Sequence, residues 1–268
     1  MKSVFKVILS LTVFVGLYVP TVSGVSAQTR ADPVAVMVGV LISKYYQNPT
    51  GTNVKGVLKA WEQSVSENDK DGVPPITGFL TGLFIKYPTK IDSFLDDAPS
   101  PRMQAIIGNA LRLAGQKQKL GVLGRKWGWP PDRITRSATG PTLLASSAVT
   151  FTDFDHNWGA SFATGEARFV RKIYDAFVRT SENPQIDPDD IVVFANFNRT
   201  RRNQDDVRRV AQKYPQQIRL SVIYASVALW AMESNAEQHP FIARAINRWL
   251  SEKPTSKATR AYRSFAGQ

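Results

Sequence analysis

The chain of 268 residues contains no cysteine. That excludes disulfides, thiolate metal ligands, a thiol nucleophile and a lipidated cysteine, so packing alone must hold the fold. Histidine is nearly as scarce, with only His156 and His239. The zinc signature His-Glu-x-x-His is missing, and any serine–histidine pair would have to use one of those two rings. "GASFA" around Ser161 lacks the second glycine of Gly-x-Ser-x-Gly. The glycines of "GVLGRK" lack phosphate-loop spacing. No metal site and no cofactor is therefore expected. Acids are the minority charge, 22 against 34 bases, for a formal net charge of +12. A positive field of that size favours anionic partners.

Long apolar runs are also lacking after the first few turns of chain. The one at Val7–Val19, "VILSLTVFVGLYV", follows Lys2 and Lys6 and is short for a membrane span but suited to the core of a signal peptide. Pro20 and Gly24 interrupt it, and "VSA" at 25–27 supplies small residues before a cleavage point. Residues 1–27 are read as a signal peptide, which places the mature chain in the periplasm or outside the cell. The competing reading keeps the segment as an anchor. No transmembrane helix is expected after cleavage.

What fills the rest is helical punctuation. Ser100-Pro101 and Asp187-Pro188 each put a capping side chain before a proline that needs no N–H donor. Apolar positions Met103, Ile106, Ile107, Ala110 and Leu111 recur at helical spacing, with Gly115 as the left-handed end. Phe169, Val170, Ile173 and Phe177 make a second stripe. "NQDDVRRVAQKYP" can be capped by Asn203 with Asp206 three residues on. "IRLSVIYASVALWAME" is apolar nearly all round and suits a buried central helix. "DIVVFANF" is the best strand candidate, although a cap signal precedes it. The predicted fold is mainly α: about ten short helices packed as helix pairs, in an irregular bundle with solenoid-like character. "GFLTGLFIKYPTKIDSFL" and "GASFATGEARFVRKIYDAF" look like two copies of such a pair. The expected organisation is an N-terminal helical part at 28–127, an irregular connection at 128–150, a C-terminal helical part at 151–252 and a disordered basic tail at 253–268.

Two regions carry candidate chemistry. In "TDFDHNWGASFATG" a helix beginning after Asp153 would turn Phe154, Trp158 and Phe162 inward and end at Gly165, while Asp155 and His156 project away from that stripe. Adjacent helical residues do not converge on one ion. Asp155, His156, His239 and Glu62, the last beside Trp61, are the weak catalytic candidates. The second region runs from Arg112 to Arg136, with seven bases against Asp132 and with Trp127 and Trp129 interleaved. Arg125, Lys126, Trp127 and Trp129 are the candidate binding residues there, a cation-plus-aromatic surface suited to head groups, sugars or phosphates. The competing reading buries the tryptophans in the core.

These observations favour a non-enzymatic binding or scaffold protein of the cell envelope. Its expected partner is another envelope protein or an anionic surface, with nucleic acid disfavoured. The alternatives are an envelope hydrolase acting on glycan or peptide linkages, and a protein that binds anionic lipid or lipopolysaccharide.

Overall fold

The computed structural model describes residues 33–50, 52–64 and 72–267. The signal-like segment 1–27 lies outside the described residues. Within them the chain forms fourteen α-helices and no strand. They are α1 (Pro33–Lys44), α2 (Val54–Ser64), α3 (Val73–Lys86), α4 (Ile91–Phe94), α5 (Pro101–Leu113), α6 (Lys117–Lys126) and α7 (Pro131–Ser137), followed by α8 (Phe151–Thr164), α9 (Ala167–Ser181), α10 (Pro188–Thr200), α11 (Gln204–Lys213), α12 (Gln216–Ala236), α13 (Pro240–Glu252) and α14 (Lys257–Ala266). The mainly α fold of packed helix pairs holds; the count exceeds ten because it includes the short α4 and α7 and because α14 forms where a disordered tail was expected. No described helix is long and apolar enough to cross a membrane.

The helices gather into two compact units. The first takes residues up to Ser146 together with Trp158–Gly165; the second takes Ser147–Asn157 and everything from Glu166 onward. Helix α8 is thus divided between them at Asn157 and Trp158. In the first unit α1 pairs with α2, and α3 with α5, and α6 and α7 follow against α5. Phe79, Leu80, Leu83, Phe84, Ile107 and Leu111 are its fully buried centre, each such side chain contributing about 1.5–3 kcal/mol by leaving water. In the second unit α12 is the central helix, packed on α9, α10 and α13, with α14 against α9 and α10.

The local devices are those the sequence spells. Ser100 Oγ accepts from Met103 N, and Asp187 Oδ1 accepts from Asp189 N. Phe169, Val170, Ile173 and Phe177 are all fully buried on one face of α9. The strand candidate "DIVVFANF" belongs to α10, where the cap at Asp187 starts a helix that the β-branched residues only pack.

Several expectations are corrected. Helix α8 begins at Phe151, one turn earlier than read, because Thr150 caps it: Asp153 N donates to Thr150 Oγ1, and Thr150 N donates to Asp153 Oδ2 at 2.9 Å. Asp153 is therefore the return arm of a capping box and not the cap. From Phe154 to Thr164 only Asp155 is even half-exposed, so His156 points into the fold where a projecting side chain was expected. Asn203 has a left-handed backbone (φ 66°) and makes no capping bond; Asp205 and Asp206 pair instead with Arg208 and Arg209. The tail is not disordered along its length: α14 occupies 257–266, capped by Ser256 and anchored by buried Ala258, Ala261, Tyr262 and Phe265. The 128–150 connection contains α7. The apparent repeat dissolves, since Thr81-Gly82 lies inside α3 whereas Thr164-Gly165 ends α8, with Gly165 at φ +72°.

Candidate functional site

A pocket of about 210 Å³ opens in the first unit, lined by Arg112 and Asn109 of α5, Arg133, Arg136 and Ser137 of α7, and Trp129 and Thr139 on either side of α7. Each wall follows from local chemistry. Helix α5 runs from the Ser100 cap to Leu113 and leaves Arg112 in its last turn, where a cation complements the carbonyl end of the helix. Arg112 Nε and Nη2 both donate to Asn109 Oδ1 at 3.2 and 2.8 Å, and Nη1 donates to the Pro141 carbonyl at 2.9 Å. Its acceptors are all neutral, and burial pushes its pKa below the ordinary value. A guanidinium keeps its proton regardless, so Arg112 presents a positive charge that no carboxylate among the described residues balances.

The opposite wall is built on Trp129. Its indole lies so close to α5 that a Cβ at position 108 would come within 2.7 Å of Cη2, and Gly108 is what lets the ring in. Trp129 Nε1 donates to Gln104 Oε1 at 3.1 Å, and the residue is only 7% exposed. The Arg133 guanidinium stacks over the ring, 3.9 Å from its centroid, a cation–π contact of about 0.5–2 kcal/mol. One turn along α7, Arg136 pairs with Asp132 at 2.8 Å on the exposed face. None of the described residues that line the pocket is acidic.

The sequence reading and the geometry share one residue, Trp129, and it serves as packing and as the seat of Arg133. Trp127 is half-buried, tilted against Trp129 with ring centroids 5.3 Å apart, and packs on the core of the first unit. Arg125 and Lys126 are exposed at the end of α6 and do not line the pocket; Lys126 lies 3.7 Å from Asp97 in an exposed pair. Arg112, Arg133 and Arg136 were counted in the basic stretch but not singled out. The available signal was the i, i+3 spacing of Arg133 and Arg136, which puts both on one face.

None of the catalytic candidates is among the residues that line this pocket. Glu62 is half-buried and accepts from Ser100 Oγ, bracing the α5 cap. Asp155 is half-buried and His156 is 8% exposed, both in the second unit. His239 is 1% exposed at the start of α13, its ring 6.3 Å from that of Phe241. Among the described residues no three acids and histidines gather where they could hold a metal ion. No family model, no curated protein and no solved structure matches this chain.

Proposed function

We propose that the chain is an exported binding protein of the cell envelope whose partner is anionic and is held at the arginine-lined pocket. Export rests on the signal-like pattern of residues 1–27. The observation that carries the binding reading is the pocket itself: three guanidiniums from two helices with no acidic residue among the lining side chains. Surface arginines are ordinarily interspersed with acids, as Arg208 and Arg209 are with Asp205 and Asp206. Positive charges gathered in a concavity repel one another, and an anion relieves that repulsion. A binding role requires no catalytic constellation, and of the catalytic candidates Glu62 has a structural occupation at the α5 cap.

The test is calorimetric titration of the purified chain with sulfate, inorganic phosphate and acetate at low ionic strength. Saturable binding of at least one anion is expected, weakened by added salt and abolished in the double variant Arg112→Gln/Arg133→Gln with the thermal melt preserved. No heat with any of the three anions, or equal binding by the double variant, overturns the reading.

A further inference from the structure

The pocket's polar groups specify more than a sign of charge. Asn109 spends its carbonyl oxygen on Arg112, which leaves the amide N–H₂ as a donor. The Ser137 hydroxyl is a further donor, while Thr139 Oγ1 already donates to the Arg136 carbonyl at 2.6 Å and so offers only its lone pairs. Three guanidiniums, an amide and one hydroxyl can therefore donate into the cavity, against one hydroxyl that accepts.

Geometry and charge then discriminate between anions. A carboxylate is planar and has two oxygens, which one guanidinium fork can occupy. The N–H groups that three guanidiniums on α5 and α7 keep beyond those given to Asn109, Pro141 and Asp132 suit a tetrahedral group whose several oxygens point in different directions. Asp132 offsets one of the three positive charges from outside the cavity, so two remain. Sulfate esters and phosphate diesters bring one negative charge, whereas a phosphate monoester brings nearly two at neutral pH, its second pKa being about 6. The Trp129 face is covered by Arg133 and gives a ligand ring nothing to stack on. Resting on the anionic-pocket reading above, we propose that the pocket binds the dianionic phosphate of a phosphate monoester. The group sits on the end of Arg112, with Arg133 and Arg136 closing on it from α7.

Two sources present this chemistry, a soluble phosphorylated metabolite and a lipid head group ending in a monoester. The charged groups that face the site are Arg112 from α5 and Arg133 and Arg136 from α7, with Asp132 behind Arg136; α6 and the loop after α7 contribute no charge to the lining, and no histidine lines it. Between pH 8 and pH 5 the ligand is thus the group that changes charge.

The experiment compares phenyl phosphate with phenyl sulfate by calorimetry on the purified chain at pH 8 and pH 5. Phenyl phosphate should bind at least roughly tenfold tighter at pH 8, the worth of about one additional charged hydrogen bond, and the advantage should vanish at pH 5. Arg112→Gln should remove binding, and Arg136→Gln, an exposed change that leaves the fold intact, should reduce the preference. Sedimentation with phosphatidylcholine vesicles containing phosphatidic acid, competed by glycerol 3-phosphate, assigns the source. Vesicle binding that the soluble ester displaces supports the monoester on a lipid, and soluble binding without vesicle binding supports a metabolite. Equal affinity for the two phenyl esters at pH 8, with loss in Arg112→Gln, overturns the monoester assignment and leaves the anionic pocket standing. Absence of binding to both overturns the two together.

Discussion

Replacing Gly159 by alanine should weaken the first unit even though alanine is the better helix former. Helices α3 and α8 meet there at backbone contact. A Cβ on residue 159 would lie 2.3 Å from the Pro75 carbonyl oxygen, 2.5 Å from Phe79 N and 2.9 Å from the Gly78 carbonyl carbon. From the other side, a Cβ on Gly82 would lie 2.8 Å from Ala160 Cα, Ala160 O and the Ala163 methyl. None of these atoms ends a flexible side chain. Ordinary contact begins near 3.4 Å, so the two helices would have to part by about 1 Å. A gap of that size forfeits a quarter to a half of each dispersion well along the contact, and overpacking of this kind costs about 1–3 kcal/mol or more. The propensity gain of about 1 kcal/mol offsets part of that loss, and from the middle of the range a net loss of about 1 kcal/mol is expected. Gly121→Ala is the control: it sits in α6, and its Cβ would meet nothing nearer than Arg125 Nη1 at 3.5 Å. There the propensity gain of about 0.5–1 kcal/mol should appear undiminished. Urea unfolding of both variants beside the parent chain measures the difference. Gly159→Ala matching or exceeding Gly121→Ala in midpoint would refute the close crossing.

The remaining expectations concern the second unit. Phe265→Ala should cost about 3–5 kcal/mol, since the ring is 2% exposed beneath the Arg199 guanidinium, while Ser264→Ala on the exposed side of α14 should change stability by less than about 0.5 kcal/mol; equal, small effects would return the tail to disorder. Burial, reinforced by Glu233 and Glu237, holds the Tyr262 phenol well above its ordinary pKa. The unfolded chain loses that proton near pH ~10 while the folded chain keeps it, so the stabilisation is whole below that pH and is withdrawn as pH rises. Urea midpoints should fall more steeply above pH ~10 in the parent chain than in Tyr262→Phe, and parallel profiles would refute the assignment.

What was legible in the sequence was what neighbours in sequence decide. Ser100-Pro101 and Asp187-Pro188 mark their helices because the cap and the N–H it accepts lie within three residues. The stripe of α9 reads directly, since one face is apolar and the other carries Arg171, Lys172 and Asp175. Helix α8 was misregistered because Asp153 and Thr150 are both good caps, and only the reciprocal bond between them decides which serves. Its burial on nearly every side hid the polarity pattern that would have oriented His156. The final helix was missed because Tyr262 and Phe265 are its two large anchors in a basic, polar stretch. The false repeat matched letters whose roles differ: Gly82 admits a neighbouring backbone inside a helix, and Gly165 terminates one.

The residues lining the pocket show the same division. Local charge density singled out Arg125 and Lys126 because they are adjacent, but adjacent residues on a helix diverge, and neither lines the cavity. Arg133 and Arg136, three apart, share a face, and Arg112 joins them only because α7 packs back on α5. The aromatic interleaved with these bases that lines the cavity is Trp129. Trp129 does not offer its face to a ligand; it occupies the hollow that Gly108 leaves and fixes a guanidinium above itself. An arginine seated on a ring loses less rotamer freedom when an anion arrives, so the entropy of ordering that side chain is already spent in the fold. On that account Trp129→Leu should weaken anion binding while leaving every lining charge in place, which separates a pre-positioned site from a merely positive one.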